Sequence, residues 1–439
     1  MLDGSNNVLP VDTPAVEGSG WLNVPASLLR RVLLCLLIAA PAVVLRVSGA
    51  RPDPVLDMLV FGAAIVAAAF LLAWAAEAAR KDISGALAIA LLAFIAVLPE
   101  YAVDLYYAFR SGSEPEYEQF AAANMTGSNR LLLGFGWPLV VIVALLVARR
   151  RSRALGARPP RALLIPRRGR LDIGFLALLA VIAFAIPLLG HIPVWLGLVL
   201  VAGFGLYLWR AGLAEDDEEE EFVGSAALIA ELPTAARRTT VIALFVVSAA
   251  LILTVAEPFA ESMVSAGSAL GIDSFLLVQW LAPLASEAPE FIIAVMFALR
   301  GSGAAAIATL IASKVNQWSL LVGSLPIAHL LGGGGTDLAL DARQVEEFVL
   351  TATQTVMGVA IILALRFHWA WALSLFAIFA AQFAVTDTTG RYWLSALQLA
   401  VALVLLVVHR HSILPTLAAP FTRRTSTDQT DRVPEPAAP

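Results

Sequence analysis

Long apolar runs separated by short polar segments dominate the chain. A helix that crosses the hydrocarbon region of a bilayer needs about 20 mostly apolar residues. Runs of this kind predict about twelve membrane-spanning helices, at residues 30–49, 56–79, 83–109, 118–148, 172–190, 192–209, 239–264, 274–299, 304–331, 346–365, 367–385 and 392–409. The alternating ten-residue pattern of a membrane β-barrel does not occur in the sequence. The pattern therefore predicts an all-α polytopic membrane protein.

Composition supports this class. Of the 439 residues, 59% are hydrophobic and only 14% are charged, whereas soluble globular proteins carry about 25% charged residues. The single cysteine, Cys35, can form neither an internal disulfide nor a multi-thiolate metal site. The sequence contains no Gly-x4-Gly-Lys-Ser/Thr phosphate-binding motif, so an ATP-driven pump is not expected.

Basic residues orient the predicted spans. If the N-terminus is cytoplasmic, 22 of the 29 lysine and arginine residues fall in cytoplasmic segments and five fall outside. The other two, Arg130 and Lys314, lie within spans. Because cytoplasmic loops are enriched in lysine and arginine, this bias predicts that both termini are cytoplasmic. We expect a multi-pass protein of the plasma membrane that contacts the lipid bilayer and binds no nucleic acid.

The predicted spans divide the chain into five segments. Seven consecutive acids at residues 215–221 mark a cytoplasmic loop that should be solvated or disordered. The predicted segments are an N-terminal cytoplasmic segment with an extra helix (1–54), a first transporter repeat (55–209), the acidic loop (210–238), a second transporter repeat (239–385), and an extra helix with a disordered cytoplasmic tail (386–439).

Two segments of the chain resemble each other. Each contains a half-span, a Pro-Glu pair, a second half-span that ends in Arg and Gly, and a following span rich in small residues. The pairs are Pro99-Glu100 and Pro289-Glu290. The predicted topology places the two copies in opposite orientations. Inverted repeats of this kind are typical of secondary transporters with a binding site near the membrane midplane.

Carboxylates beside prolines within a span favour cation binding. A proline frees the carbonyl of the preceding turn, and an adjacent carboxylate adds the oxygen ligands that hard cations prefer. Glu100 and Asp104 share one helix face, as do Glu287 and Glu290. Counted with the two buried bases, these four acids leave two net negative charges. That balance suits one divalent ion, or two monovalent ions or protons.

These motifs resemble the two alpha repeats of the cation/calcium antiporter superfamily, which includes the sodium/calcium exchangers. Leu98–Glu100 and Ala288–Glu290 match the family's Pro-Glu turns, and Asn124 and the triplet 127–129 match its first following helix. Ser286 stands where the second turn of the family has threonine. The resemblance implies two five-helix halves of inverted topology, with one extra helix at each end.

The sequence departs from the family pattern at several ligand positions. The Thr-Ser pair of the first turn is replaced by Ala96-Val97, and Glu287 replaces the serine of the second turn. In the second following helix, the family's Asn or Asp position falls at Ser313 or Lys314, depending on the alignment. These changes preserve the expected fold and leave the transported ion open.

The resemblance implies a secondary active antiporter that moves Ca2+ or another cation against Na+ or H+, without a cofactor. The candidate cation ligands are Glu100, Glu290, Asn124, Ser286 and Ser313, with the two glutamates as metal ligands. The candidate coupling or charge-balancing residues are Lys314, Glu287, Asp104, Asn129 and Arg130.

Several alternatives remain open. Lys314 could exchange a proton with a carboxylate partner, Glu287 or Glu290, in a Na+/H+ antiporter, or it could form a static salt bridge. Asp104 could be the partner of Arg130. An intramembrane enzyme that uses paired carboxylates is a third possibility, although an inverted repeat does not favour it.

Overall fold

A computed structural model describes residues 24–82, 97–213 and 222–422, and helices make up most of these ranges. The first half contains α1 (Ala26–Ser48), α2 (Pro54–Ala79), α3 (Leu98–Ser111), α4 (Glu118–Leu131), α5 (Trp137–Ala154), β1 (Ala162–Leu164), α6 (Arg170–Ala183), α7 (Ala185–Leu189), β2 (His191–Pro193) and α8 (Val194–Gly212). A π-helical segment, Leu132–Gly136, joins α4 to α5 without a break.

The second half begins with a short helix and repeats this order. It contains α9 (Gly224–Ala230), α10 (Thr234–Leu270), α11 (Ser274–Arg300), α12 (Gly303–Asn316), α13 (Val322–Leu331), β3 (Asp337–Ala339), α14 (Ala342–Ile362), β4 (Arg366–His368), α15 (Trp369–Ala384), α16 (Thr388–Val408) and α17 (Arg410–Ala418). A second π-helical segment, Gln317–Leu321, joins α12 to α13.

The prediction of an all-α polytopic membrane protein is confirmed. Among the described residues, ten helices are long and apolar enough to cross a membrane. Two predicted spans are not among them, because α15 is shorter and the span predicted at 83–109 is described only from Val97 onward. The count of twelve is therefore not confirmed.

The two halves pack reciprocally. Strand β1 pairs antiparallel with β4, and β2 pairs antiparallel with β3, so each strand of one half meets the non-equivalent strand of the other. Helix α13 packs against α8, and its counterpart α5 packs against α15. Helices α2 and α10, which begin the two halves, pack on each other. A pseudo-two-fold relation between two inverted repeats produces this pattern of contacts.

Small residues allow close helix packing at the centre. A Cβ atom added to Gly127 on α4 would lie 1.7 Å from the backbone oxygen of Gln279 on α11. Membrane helices use small residues at such interfaces because the backbones can then approach closely. The contact fixes α4, which carries Asn124, Ser128 and Asn129, against the helix that carries Glu287 and Glu290.

Parts of the predicted loops are helical. Within the segment 210–238, α9 forms at Gly224–Ala230 and α10 already begins at Thr234. The acids at 215–221 lie outside the described residues. Within the segment 386–439, helix α17 continues through Pro415 to Ala418, and residues 423–439 lie outside the described residues.

Candidate cation site

The two Pro-Glu pairs lie in different helical contexts. Pro99 and Glu100 occupy the first turn of α3, which begins at Leu98. A proline is tolerated there because the first turn has backbone N–H groups without helical partners. Pro289 and Glu290 lie inside α11, which continues through both Pro283 and Pro289. Each proline within α11 removes one backbone donor from the helix.

Two glutamates meet at one amide side chain, and a third glutamate lies close to both. Gln317, the first residue of the second π-helical segment, donates its Nε2 to Glu287 Oε1 at 2.6 Å and to Glu100 Oε1 at 3.3 Å. Ser313 donates its hydroxyl to Glu290 Oε2 at 2.8 Å. Glu100 interacts electrostatically with Glu290, and Glu287 interacts with both. The fold thus brings together side chains of α3, from the first repeat, and of α11, from the second repeat.

The glutamate cluster lies in the protein interior. Glu100 is 4% exposed and Glu287 is 2% exposed, whereas Glu290 is half-buried. Like charges held together away from water repel one another, and burial further disfavours their ionised forms. A bound cation or protons would relieve both costs.

Several buried oxygens at or beside this cluster have no hydrogen-bond partner. They are Glu287 Oε2, Gln317 Oε1, Ser128 Oγ and Asn129 Oδ1. The Ser128 hydroxyl interacts with Glu100 and Glu287 without a hydrogen bond of normal geometry. Unpaired buried oxygens are costly, and carboxylate, amide and hydroxyl oxygens are the ligands of hard cations.

The acidic side chains alone do not form a metal cage. In the ranges that the structure describes, no group of three or more His, Cys, Asp or Glu side chains is arranged to hold a metal ion. A cation among these glutamates would therefore need amide and hydroxyl oxygens as additional ligands. Ser128, Ser313 and Gln317 supply such oxygens.

Lys314 lies beside the cluster and contacts the other repeat. Its fully buried ammonium donates to the backbone oxygen of Asn129 at 2.6 Å and lies 5.8 Å from the ring centroid of Trp318. The prediction of a direct carboxylate partner is wrong in this respect, since Glu287 acts on Lys314 only through its electrostatic field. The backbone carbonyl satisfies one N–H group without neutralising the charge.

The π-helical segments give an alignment of the second repeat that differs from both alignments of the sequence. Lys314 precedes Gln317–Leu321 by the same interval at which Asn129 precedes Leu132–Gly136. Ser313 likewise corresponds to Ser128. Lys314 thus occupies, in the second half, the position that Asn129 occupies in the first half.

Arg130 belongs to a separate buried cluster. It pairs with Glu347 at 2.5 Å, donates from Nη1 to Gln382 Oε1 at 2.8 Å, and lies over the ring of Trp280 at 5.0 Å. Glu347 also pairs with Arg391 on α16. The alternative in which Asp104 is the partner of Arg130 is therefore wrong. Removing Arg130 from the central charge balance leaves one base, Lys314, facing the acids.

The remaining candidates lie beside the cluster or apart from it. Asn124 donates to Asp104 Oδ1 at 2.6 Å, one turn along α3 from Glu100. Ser286 donates its hydroxyl to the backbone oxygen of Ala282 in its own helix, at 3.1 Å. The structure thus joins Glu100, Glu287, Glu290, Ser313 and Lys314 in one region, pairs Asn124 with Asp104, and shows Ser286 bonded within α11.

Two residues that matter here were missed at the sequence level. Gln317 gives no local signal, because a glutamine in a small-residue span is common helix–helix glue. Glu347 lies near the start of the predicted span 346–365, where an acidic residue is expected to lie at the membrane interface. The signal that could have found Glu347 is Arg130, because an intramembrane base needs an intramembrane acid as its partner.

Comparisons with known proteins agree with this architecture. The profile of a family described as "Sodium/calcium exchanger protein" matches residues 55–212 and 240–410. The crystal structure of the H+/Ca2+ exchanger CAX is similar, with a TM-score of 0.82 and 38% sequence identity over 90% of this chain and 98% of that one.

A second solved structure shows the same fold at lower identity. Native YfkE matches with a TM-score of 0.59 and 14% identity, over 82% of this chain and 99% of YfkE. Selenium-substituted YfkE, described as a Ca2+/H+ antiporter protein, matches with a TM-score of 0.56. No curated protein sequence matches the chain.

Proposed function

We propose that this chain, which belongs to the sodium/calcium exchanger protein family, exchanges Ca2+ for H+ at the cluster of Glu100, Glu287 and Glu290. The chain is a cation antiporter of the membrane and not an enzyme. The alternative of an intramembrane carboxylate enzyme is therefore wrong. The observation that carries the proposal is the meeting of the buried Glu100 and Glu287 at Gln317, with the half-buried Glu290 at Ser313 and Lys314 beside them.

The charge balance of this cluster favours a divalent ion. Three ionised glutamates and one ammonium carry a net charge of minus two, which one Ca2+ neutralises. Without Ca2+, that charge would be held away from water at high cost. Protons are the simplest replacement, because a glutamate that loses its cation can bind a proton at the same oxygen. Alternate occupancy by Ca2+ and by protons then couples the two fluxes.

Two features favour H+ over Na+ as the coupling ion. Sodium, like calcium, needs several oxygen ligands, and this chain has Val97 and Lys314 at positions where the family supplies oxygens. A fixed ammonium repels a second cation and reduces the number of ions that the cluster can hold. The similarity to the H+/Ca2+ exchanger CAX, at 38% identity, points to the same coupling ion.

The proposed ligands form one set. Glu100 and Glu290 are the metal ligands, supported by Ser313 and by the unpartnered oxygens of Gln317 and Ser128. Asn124 and Ser286, the other candidate ligands from the sequence, contribute only if helix movement during transport redirects them. Single replacement of either by alanine should therefore reduce Ca2+ affinity less than Glu290→Gln.

A flux assay with imposed gradients tests the proposal. The purified protein is reconstituted into proteoliposomes, and 45Ca2+ uptake is driven first by an inside-acid pH gradient and then by an outward Na+ gradient at equal pH. We expect uptake with the pH gradient, its loss when a protonophore collapses that gradient, and no uptake with Na+ alone. Uptake driven by Na+ and indifferent to pH would overturn proton coupling, and Na+/H+ exchange without Ca2+ flux would establish the Na+/H+ alternative.

Matched variants separate the site from general effects of charge removal. Glu100→Gln and Glu290→Gln keep side-chain volume and remove one charge, so both should abolish Ca2+ uptake in folded protein. Glu257→Gln is the control, because Glu257 pairs with Arg46 outside the cluster, with 41% of its side chain exposed. Wild-type flux in both site variants would reduce the two glutamates to a structural role.

We also propose that both termini face the cytoplasm of a cell whose plasma membrane holds the protein. The excess of lysine and arginine on one side of the predicted spans supports this orientation. In a Cys35→Ser background, a cysteine placed in the tail after residue 422 should react with a membrane-impermeant maleimide only after cells are opened. Labelling of intact cells would contradict the orientation.

A further inference from the structure

Helix α16 presents one polar face to the rest of the protein. Its buried side chains are Arg391, Ser395, Gln398, Ala402 and Leu405, which follow helical spacing along one face. The helix packs chiefly against α14. Polar side chains within a membrane are costly unless the protein supplies their partners, so this face must find its partners on α14.

Two polar contacts join α16 to α14. The Thr353 hydroxyl donates to Gln398 Oε1 at 2.7 Å. Two helical turns away along α16, Arg391 donates from Nη1 to Glu347 Oε1 and lies 3.3 Å from Glu346 Oε1. In the part of the chain that the structure describes, the other hydrogen bonds of Thr353 stay within α14. The contact of Thr353 therefore ends at this pair of helices.

Glu347 continues the other contact into the bundle. Its Oε1 faces Arg391, and its Oε2 pairs with Arg130 of α4 at 2.5 Å. Each arginine thus takes one oxygen of a carboxylate that has no exposed surface. The Arg130 guanidinium also donates to Gln382 Oε1 on α15 at 2.8 Å. A continuous series of contacts therefore runs from α16 through α14 to α4.

Helix α4 presents the two residues before Arg130 to the glutamate cluster. The backbone oxygen of Asn129 accepts the hydrogen bond of Lys314 at 2.6 Å, and the Ser128 hydroxyl interacts with two of the glutamates. Residues 128–130 lie within one turn of α4, so a displacement of Arg130 displaces the other two. Binding groups must be held within about 0.5 Å of their productive geometry, and the contacts behind them supply this restraint.

We infer that Arg391 is a positioning residue for Ca2+ binding. Through Glu347 and Arg130 it holds α4 in the orientation that presents Ser128 and Asn129 to the glutamate cluster. The inference rests on the proposed function, since Ca2+ is the ligand whose affinity depends on this orientation. Helix α16 is then a working part of the transport unit, although the resemblance to the family placed it outside the two five-helix halves.

Loss of the Arg391 guanidinium changes how Glu347 is shared. The buried group contains two glutamates and two arginines, so its charges balance. In Arg391→Gln, Glu346 and Glu347 remain with Arg130 as the single base of this group. Glu347 is then free to pair with Arg130 through both oxygens, the geometry that arginine and carboxylate favour. Reaching that geometry displaces the Arg130 side chain, and with it the turn of α4 that faces the glutamate cluster.

Isothermal titration calorimetry of the purified full-length protein with Ca2+ tests the assignment. We expect Arg391→Gln to bind Ca2+ about tenfold more weakly than the wild type, the scale of a lost residue behind a metal ligand. The stoichiometry should be unchanged, because the loss lies in affinity and not in the fraction of folded protein. Arg391→Lys keeps the charge but lacks the planar pair of donors, so its affinity should lie between those of Arg391→Gln and the wild type.

Thr353→Val is the matched control, because it removes the other polar contact between α14 and α16, which does not continue to α4. It should lower the thermal midpoint and leave the affinity for Ca2+ unchanged. Wild-type affinity in Arg391→Gln, or an equal loss of affinity in Thr353→Val, would overturn the inference. A wild-type protein that binds no Ca2+ would instead refute the proposed function.

Gln382→Leu serves if Arg391→Gln does not fold. It leaves both ion pairs of Glu347 in place and removes the hydrogen-bond acceptor of Arg130 on α15. Ca2+ binding should weaken in folded Gln382→Leu, as in Arg391→Lys. Wild-type affinity in both of these variants would overturn the inference.

Discussion

Glu347 neutralises two arginines within the bundle, and its removal should destabilise the protein far more than removal of an exposed acid. The carboxylate pairs with Arg130 at 2.5 Å and with Arg391, and neither Glu347 nor Arg130 has any exposed side-chain surface. Glu347→Gln keeps the volume and removes the charge. Two guanidinium groups then remain with Glu346, which lies 3.3 Å from Arg391, as their acidic partner.

The size of the expected destabilisation depends on how deeply the ion pair is buried and not on its N–O distance. Breaking a buried ion pair by neutralising one partner costs about 3–5 kcal/mol, because the other charge stays buried without compensation. The Arg46–Glu257 pair has the same 2.5 Å separation, but 38% and 41% of the two side chains are exposed. Exposed pairs are typically worth about 0–1 kcal/mol. Glutamine retains a hydrogen bond, so we take about 3 kcal/mol for Glu347→Gln.

Thermal unfolding in detergent, followed by the loss of the monodisperse peak in size-exclusion chromatography, measures the difference. At about 2 °C per kcal/mol, a loss of about 3 kcal/mol lowers the midpoint by roughly 6 °C. Glu257→Gln, heated at the same rate, should lower it by about 2 °C or less. Equal midpoints for the two variants would refute the argument that Glu347 compensates buried charge.

Three further predictions concern other parts of the molecule. Lys314→Asn places an oxygen ligand at the position equivalent to Asn129, so Ca2+ uptake should become sensitive to Na+ and less dependent on pH. Unchanged uptake under both the Na+ and the pH gradient would contradict a coupling role for Lys314. Gly127→Ala places a Cβ 1.7 Å from a backbone oxygen of α11. The resulting overpacking costs about 1–3 kcal/mol and should lower the yield of monodisperse protein. Gly203→Ala is the control, because a Cβ there has nothing within 4 Å, and it should leave the yield unchanged. Hydrogen bonds from Arg237 lower the pKa of Asp82, which follows the end of α2. The stability that this ionised acid contributes should be present near neutral pH and lost as pH falls through its lowered pKa. The thermal midpoint of Asp82→Asn should therefore lie below that of the wild type at pH 7 and approach it in strong acid.

Features set by local pattern were predictable from the sequence. Span positions follow from apolar runs, and the Pro-Glu pairs at 99–100 and 289–290 are short motifs that recur with the repeat. Glu100, Glu290 and Ser313 could be placed in one region because the repeat relates their helices. The register of Lys314 could not be fixed, because the connector between the Pro-Glu helix and the following helix spans residues 112–117 in the first repeat and only 301–302 in the second.

Contacts between distant spans were not predictable. The sequence left Asp104 open as a partner of Arg130, but the structure pairs Arg130 with Glu347 from α14, about half the chain away. Gln317 joins Glu100 to Glu287 only because α3, α11 and the second π-helical segment meet. A charge count along the sequence treats buried acids and bases as one pool, whereas the fold divides them into two separate clusters.

Alternate occupancy of one carboxylate cluster by Ca2+ and by protons is the central claim. Isothermal titration calorimetry of the purified protein with Ca2+, repeated in buffers of different ionisation enthalpy, counts the protons released on binding. The account predicts release of about two protons per Ca2+ near neutral pH, since the ligands must lose their protons for the metal to bind, and no Ca2+ binding by Glu100→Gln. Tight Ca2+ binding with a heat independent of the buffer would contradict it.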